Sequence, residues 1–392
     1  MAKGIGRYPV AVLKLIRRVV VVLLVLYLAL FGLTKAIRYP EPIAAIKLGL
    51  APASKTPDLM PFHVIKAAPS DNNSWQLGSP EKITDVTWGG VKISFDEFLA
   101  NTQTNAFLVI RGGKITYEKY LNGKTESTVL PSYSVAKTMT SLVIGQLIDE
   151  RKIKESDTFV KILPEFKADS SFDDVTIKDL LDMNAGIGVS DNYPTGPSGW
   201  GVAIAQMYAT TDMNFFMKNN RKMSEKPGTY PEYRSVNTQM LGLIIQKVTG
   251  NKLADEFSER VWKKVGADYD ATWNVDKVGG HEKAFCCFNA AARDYARVGL
   301  ALMSGSPKIA STSWKARLSN PIVNLDYGWG YGAQMWHPYS GINLMMGLHG
   351  QYIYQDPLHD TVIVKLSDMP TSADGISDKI ASVLRVISEK KS

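Results

Sequence analysis

The sequence predicts an α+β fold, in which an antiparallel sheet is flanked by helices and carries an inserted, mostly helical subdomain. Three observations predict it. Strand-like segments stand at both ends of the main part of the chain, helical patterns and Gly/Pro-rich loops fill about residues 156–305, and an amphipathic helix closes the chain over 375–389. A sheet must bury its apolar face, and helices between and after its strands provide the cover.

The first predicted elements lie after residue 84. Residues 39–84 have scattered Pro, Ser, Asn and Lys, which indicates a linker that packs partly on a domain spanning 85–392. Segments Phe107–Ile110 and Ile115–Tyr120 are rich in β-branched and aromatic residues and are separated by two glycines, which predicts a hairpin. The helix that comes next, from Ser134 to about Glu150, is apolar on most faces and should be buried.

Two further helices and three further strands complete the expected order. The helices cover Ile177–Met183 and Val236–Val248, and Gly250 closes the second. The strands are predicted at the C-terminal end, at Ile342–Met346, Gln351–Gln355 and Thr361–Leu366. The sequence contains no internal repeat.

Composition and charge exclude some functions. Hydrophobic residues make up 45% and charged residues 21% of the 392 residues, which is typical of a globular chain with a core. The net charge is +7, but residues 1–38 contain seven Lys and Arg residues and no acidic one. Removing these seven from the 45 basic residues leaves 38 against 38 acidic residues, so the remainder is neutral and no nucleic-acid partner is predicted.

The basic N-terminus, residues 1–38, surrounds an unbroken apolar run at 19–33. As a helix this run spans about 22 Å, less than the ~30 Å hydrocarbon core, and its length is also that of a signal-peptide apolar region. No small-x-small cleavage site lies closely downstream, and flanking Arg and Lys side chains can extend the span. We therefore predict an uncleaved signal anchor that binds the membrane, with the remaining domain periplasmic or extracellular.

The two cysteines, Cys286 and Cys287, are adjacent. Without a second cysteine pair or a Cys/His cluster they cannot form a zinc site. Adjacent cysteines rarely form a disulfide. We therefore expect two small buried hydrophobic residues.

The tetrapeptide Ser134-Val135-Ala136-Lys137 opens the buried helix. Residues three apart share a helix face, so the hydroxyl and the amine can meet. A serine hydroxyl becomes a nucleophile when a base takes its proton, and a desolvated lysine can be that base near neutral pH. Ser132 is the expected N-cap, which would put Ser134 in the first turn. The pattern is common by chance, so its weight depends on further motifs downstream in the chain.

Five such motifs are present. They are Leu180-Leu181-Asp182-Met183 with Gly186, a P-G-x-x-x-x-Y-x-S segment with Tyr233 and Ser235, L-G-x-I-I at 241–245, A-A-R-D-x-A-R-x-G at 291–299 and G-x-H-G-Q-Y-I-Y-x-D-P at 347–357. In this order they resemble the serine hydrolases of the class C β-lactamase-like family, over about residues 85–390. That family includes penicillin-binding esterases and 6-aminohexanoate-dimer hydrolases. The Y-x-S form, where the family usually has Y-x-N, is most similar to the 6-aminohexanoate-dimer hydrolase branch.

The resemblance implies a β-lactamase/transpeptidase-like fold and an acyl-enzyme that cleaves an amide or ester of a small substrate. Ser134 matches the family's nucleophile, Lys137 its base and Tyr233 the tyrosine that shuttles the proton. The backbone N–H groups of Ser134 and Leu348 match the oxyanion hole. The other positions that match substrate-binding residues are Tyr193, Ser235, Asn289, Met345 and Gly347. No cofactor and no metal is implied.

The third family motif is altered. The family carries K-T-G or H-x-G beside the serine, whereas this chain has Met345-Met346-Gly347. Met345 cannot offer the cation that helps β-lactam-recognising relatives to bind a substrate carboxylate, which argues against efficient β-lactamase or cell-wall carboxypeptidase activity. His349 is two residues beyond Gly347, and its direction is open because neighbours on a strand alternate faces.

Other catalytic motifs are isolated or missing. Ser190-Asp191-Asn192 spells the S-D-N of class A β-lactamases, but without K-T-G we interpret it as coincidence. The chain has no G-x-S-x-G motif, and its five histidines lack metal-ligand spacing. The aromatic residues Trp329, Tyr331 and Trp336 are expected to be packing residues. The alternative function is a non-catalytic, penicillin-binding-like envelope protein that binds a peptide or cell-wall fragment, which Met345 favours and the intact Ser134, Lys137 and Tyr233 disfavour.

Overall fold

The computed structural model describes residues 10–68, 74–192, 202–306, 308–370 and 376–390. The strands are β1 Phe62–Ile65, β2 Asp85–Trp88, β3 Val91–Ser94, β4 Thr104–Arg111, β5 Lys114–Tyr120, β6 Leu130–Pro131, β7 Ala271–Asn274, β8 Phe288–Ala290, β9 Val323–Asn324, β10 Gly330–Gly332, β11 Met335–His337, β12 Asn343–Gly347, β13 Gln351–Asp356 and β14 Thr361–Ser367. The helices are α1 Val10–Ala36, α2 Pro42–Leu50, α3 Phe95–Asn101, α4 Val135–Asp149, α5 Phe159–Ile162, α6 Ile177–Leu181, α7 Ala203–Ala209, α8 Met213–Asn219, α9 Ser235–Thr249, α10 Leu253–Phe257, α11 Lys263–Val265, α12 Ala292–Met303, α13 Thr312–Leu318 and α14 Ile376–Ser388.

The main sheet has the order β5-β4-β14-β13-β12-β11-β10-β9, and its neighbouring strands are antiparallel. The predicted β4–β5 hairpin turns at Gly112 and Gly113, both at positive φ (54° and 74°), which glycine adopts at no steric cost. Successive residues of β4 enter opposite cores: Leu108 lies in one and Val109 in the other. Because both faces are covered, the central strands β13 and β14 are buried along their whole length rather than at alternate residues.

Helices form a layer on each face of the main sheet. On one side, α12 packs against β13 and β14, and α4 packs against β12. On the other side, α14 packs against β14 and α3 against β4. The helices α5–α11 lie between the two halves of the sheet, in the region that the sequence predicts to be mostly helical. The fold is therefore α+β, with antiparallel sheets flanked by helices and a mostly helical insertion.

A smaller sheet, β1-β7-β8-β6, leads into the candidate site. Its last strand, β6, ends at Pro131, three residues before Ser134. Its first strand, β1, belongs to the segment that we expected to be a linker, and it pairs with β7 over four residues. This segment is more regular than expected because its short elements, including α2 and a 3-10 helix over Ala53–Leu59, are too brief to show periodicity.

The N-terminal helix α1 is longer than the apolar run that predicted it. It extends over 27 residues, about 40 Å, and its apolar side chains are exposed along its length. Within the described part of the chain, it is the helix that is long and apolar enough to cross a membrane.

Candidate active site

Ser134 stands where the smaller sheet meets the buried helix α4. It occupies the N-cap position, half-buried, with helical φ and ψ of −65° and −5°. The expected cap by Ser132 is wrong, because the Ser132 hydroxyl donates to the Tyr133 carbonyl at 3.0 Å. Tyr133 turns the chain at a positive φ of 45°. The serine therefore stands at the very start of the helix, two positions earlier than expected.

Lys137 lies one turn further along α4 and is 1% exposed. Its amine donates to the Ser134 Oγ at 2.8 Å, to the Ser235 Oγ at 2.8 Å and to the Phe285 carbonyl at 2.9 Å. Burial lowers the pKa of Lys137 to about 8, and the negative charge of Asp191 opposes this shift. At pH 7 about one Lys137 in ten is then neutral, so the residue can accept a proton from Ser134.

Tyr233 comes from the loop directly before α9. Its hydroxyl hydrogen-bonds to Ser134, and the Lys137 Nζ lies 4.9 Å from its ring centroid. The ring stacks on Trp336 at 5.2 Å and meets the edge of Tyr331 at 5.9 Å. Burial, together with the charge of Asp191, raises the pKa of Tyr233 far above its usual range. The phenol is therefore protonated at neutral pH and can donate.

The aromatic residues expected to be packing residues hold this tyrosine. Trp329, Tyr331 and Trp336 are all buried, and the rings of Tyr331 and Trp336 meet at 4.8 Å. Flat aromatic faces and edges in contact restrict the ring of Tyr233 to one orientation. Packing thus places the phenol oxygen beside Ser134.

Asp191 is the site residue that the sequence interpretation missed. Its carboxylate accepts from the Ser235 backbone N–H at 2.7 Å and from the Ser235 hydroxyl at 2.5 Å. Burial of the carboxylate raises the pKa of Asp191, while the nearby Lys137 lowers it. The sequence feature that could have identified Asp191 is the Ser190-Asp191-Asn192 tripeptide, which we interpreted as coincidence. In the structure, Ser235 hydrogen-bonds to both Asp191 and Lys137.

Gly347, at the end of β12, lies against the backbone that carries the serine. A Cβ built on Gly347 would lie 2.3 Å from the Ser132 carbonyl oxygen and 3.0 Å from the Ser134 nitrogen. Only glycine permits this approach, which brings the end of β12 beside the Ser134 amide; Leu348 is the next residue in the chain. Met345 is 1% exposed and packs in the same apolar core as Met139 of α4, so it presents no cation.

We expect Gly347→Ala to lower kcat about 10²-fold, because the added methyl group forces β12 away from Ser134 and displaces the backbone that would hold an oxyanion. Overpacking should also cost about 1–3 kcal/mol of unfolding free energy. Steady-state kinetics and thermal unfolding measure the two effects. Gly305→Ala is the matched control, since nothing lies within 4 Å of its added Cβ. Full activity in Gly347→Ala would contradict the proposal that the end of β12 forms part of the active site.

The structure does not bring Asn289 to the serine. Asn289 is 1% exposed on β8, and its amide donates to the Thr272 Oγ1, the Asn274 Oδ1 and the Cys287 carbonyl at 2.9–3.1 Å. The family resemblance implied a substrate-binding position, but its side chain holds the small sheet together. The other loosely matched position, Tyr193, lies outside the described residues.

His349 does not replace the missing cation. Its Nδ1 lies 2.9 Å from the Met369 carbonyl oxygen, and its ring packs against Tyr133 at 4.7 Å. Burial lowers the pKa of His349 below its usual range, so the ring is neutral at pH 7. No sequence argument could fix its direction, because it lies after the strand in a turn at a φ of 63°.

The adjacent cysteines were correctly expected to be buried, but the expectation that they do not pair is wrong. Cys286 and Cys287 form a disulfide. Their carbonyls accept hydrogen bonds from the Trp273 Nε1 and the Asn274 N–H, both at 2.9 Å. Phe285, whose carbonyl accepts from Lys137, directly precedes the pair. The disulfide therefore joins the two residues that directly follow Phe285, the residue whose carbonyl accepts from Lys137.

Comparisons with known proteins agree with this fold. The Beta-lactamase family profile matches residues 94–385. A 6-aminohexanoate-dimer hydrolase from Paenarthrobacter ureafaciens is 29% identical over 309 residues, which covers 70% of this chain and 75% of that protein. A solved Bacillus anthracis structure, provisionally titled 6-aminohexanoate-dimer hydrolase, superposes with a TM-score of 0.75 at 25% identity, over 89% of this chain and 94% of that one. A penicillin-binding protein from Bacillus halodurans shares the fold, with a TM-score of 0.61 at 16% identity over 74% and 99% of the two chains.

The fold is thus that of the β-lactamase/transpeptidase-like proteins, a class of serine hydrolases that act on amides and esters. The match covers well over half of the residues, and the chain belongs to the Beta-lactamase family.

Proposed function

We propose that this protein cleaves an amide or ester of a small substrate through an acyl-enzyme on Ser134. The observation that carries the proposal is the 2.8 Å contact between the Ser134 Oγ and the buried Lys137 amine, with the Tyr233 hydroxyl also bonded to Ser134. A nucleophile in contact with a base of lowered pKa and a second proton carrier is the arrangement that covalent catalysis requires.

The steps depend on these three groups. Neutral Lys137 takes the Ser134 proton as the serine oxygen forms a bond to the substrate carbonyl carbon, and the backbone N–H groups of Ser134 and Leu348 hold the oxyanion. Tyr233 donates its proton to the leaving nitrogen or oxygen as the carbonyl bond to that atom breaks, and the Lys137 ammonium restores the phenol. Water then attacks the acyl carbon as neutral Lys137 takes one of its protons. The Lys137 ammonium returns that proton to the Ser134 oxygen as the bond between this oxygen and the acyl carbon breaks, which releases the acid and restores the serine hydroxyl.

The substrate class is proposed from two supports. The Paenarthrobacter ureafaciens relative is named for hydrolysis of a 6-aminohexanoate dimer, which favours a linear amide or a related ester. Met345 leaves the third motif without a cation, which disfavours substrates that are recognised through a carboxylate, including β-lactams. The proposed substrate is therefore a linear amide or ester whose binding needs no buried cation at position 345.

A substrate panel tests this proposal. We expect the full chain to hydrolyse short-chain p-nitrophenyl esters and linear amides, and to turn over a chromogenic cephalosporin at least ~10²-fold more slowly than the ester. Initial rates and intact-mass detection of an acyl adduct are the measurements. Rapid cephalosporin hydrolysis would contradict the interpretation of Met345. Neither turnover nor adduct with any ester would support the binding protein instead.

We also propose that α1 anchors the protein in a membrane, with the catalytic domain on the periplasmic or extracellular side. The exposed apolar length of α1 and the Arg17-Arg18 pair at its N-terminal side support this topology. We expect the protein to stay in the membrane fraction after carbonate extraction, whereas a variant with Leu23, Leu24 and Leu26 replaced by aspartate should not. Extraction of the unmodified chain by carbonate would contradict the anchor.

A further inference from the structure

We infer that Asp191 and Ser235 together orient the Lys137 amine, so that its lone pair faces the Ser134 hydroxyl. Asp191 is then a positioning residue that acts through Ser235. The inference rests on the proposed roles of Ser134 and Lys137. It adds a carboxylate that contacts Ser235 and not Ser134.

Among the described residues, three hydrogen-bonding neighbours surround the lysine amine. The Lys137 Nζ lies within 2.9 Å of the Ser134 hydroxyl, the Ser235 hydroxyl and the Phe285 carbonyl. An ammonium has three protons and can donate to all of them. A neutral amine, the form that acts as a base, has two protons and one lone pair. One of the three neighbours must therefore face the lone pair, and only a hydroxyl can donate to it.

Two of the three neighbours cannot donate. The Phe285 carbonyl has no proton. The Ser235 hydroxyl has one, and the Asp191 Oδ2 accepts it at 2.5 Å, while the Asp191 Oδ1 holds the Ser235 backbone N–H at 2.7 Å. Ser235 can then only accept from Lys137.

Ser134 is left as the neighbour that donates to the lone pair. Its oxygen also bonds to the Tyr233 hydroxyl, which is protonated at neutral pH and can donate to it. The Ser134 proton is therefore free to point at Lys137, which is the direction that activation requires.

The serine at position 235 explains why the carboxylate is needed. A side-chain amide, as in the usual Y-x-N form, has a fixed acceptor atom, whereas a hydroxyl rotates. Without a partner the Ser235 hydroxyl could turn toward Lys137 and occupy the lone pair. Asp191 prevents this by accepting the proton.

Three variants test the inference. We expect Asp191→Asn to lower kcat for a p-nitrophenyl ester about 10–100-fold with KM changed less than about twofold, because the new amide N–H can donate to Ser235 and turn its hydroxyl toward Lys137. Ser235→Ala lacks the competing hydroxyl and should lose less. The double variant Asp191→Asn/Ser235→Ala should therefore be more active than Asp191→Asn alone. A purely structural role for Asp191 predicts a double variant no better than the single one.

The pH profile gives a second readout. The negative charge of Asp191 favours the ammonium form, so its removal should lower the pKa of Lys137 and move the rising limb of kcat/KM to lower pH. Asp169→Asn, at an exposed position, is the matched control and should keep the wild-type rate and profile. An unrescued double variant, or Asp191→Asn with the wild-type rate and limb, would overturn the inference.

The rate of labelling by a fluorophosphonate probe should be measured in parallel, since it reports activation of Ser134 without any substrate. Slower labelling of Asp191→Asn, recovered in the double variant, supports the inference. If the wild type turns over no substrate yet shows this pattern, the proposed substrates are wrong and the inference holds. If the wild type is not labelled at all, the proposed function fails and the inference fails with it.

Discussion

Replacement of Ser134 by alanine is expected to abolish ester turnover, with a loss in kcat on the order of 10⁴-fold or more, and to eliminate fluorophosphonate labelling. The Ser134 Oγ is the half-exposed hydroxyl that contacts both Lys137 and Tyr233, so its removal leaves no atom that can form the acyl bond. The fold should persist, because the side chain makes no helix-capping hydrogen bond. Steady-state kinetics and intact-mass analysis after probe treatment measure the effect.

Ser127→Ala is the matched control, since Ser127 is an exposed serine in the loop before β6. It should keep full activity and labelling. Residual labelling of Ser134→Ala at the wild-type rate would show that another residue is the nucleophile and would end the proposed mechanism.

Lys137→Met should lower kcat by about 10³-fold or more, because it removes the base while keeping an unbranched side chain of similar length. The wild-type kcat/KM should rise with pH through a midpoint near 8, since the proposed base acts in its deprotonated form and burial lowers the pKa of Lys137 to about 8. Below that pH activity falls as the ammonium forms. Tyr233 cannot cause this rise of kcat/KM with pH, because burial raises its pKa far above the pH range of the profile. A pH–rate profile of both proteins measures the effect.

Lys283 provides a matched control for the lysine substitution. It is also 1% exposed, burial also lowers its pKa to about 8, and its amine donates to the Thr210 carbonyl at 2.9 Å. We expect Lys283→Met to reduce stability, because the Thr210 carbonyl loses its donor. The variant should keep the rise of kcat/KM with pH that the wild type shows. If Lys137→Met keeps the limb and Lys283→Met loses it, Lys137 is not the base.

Much of the fold was predictable because its signals are local. The β4–β5 hairpin is predicted by two glycines between β-rich segments, and the burial of α4 by an apolar pattern on all its faces. The contribution of β1 was not predictable, because a four-residue strand is defined by its partner β7 and not by a pattern of its own. The disulfide between Cys286 and Cys287 likewise depends on the backbone shape of its loop.

In the active site, whether a contact could be predicted from the sequence depends on how far apart its residues lie along the chain. The sequence by itself determined the contact of Ser134 with Lys137, because residues three apart on a helix lie on one face whatever the rest of the chain does. Only the tertiary structure decided that Asp191 reaches Lys137 through Ser235, and that Asn289 turns into the small sheet instead. The direction of a side chain in a loop or sheet depends on packing against segments that are distant in the sequence. Local sequence patterns do not show which of these segments come together.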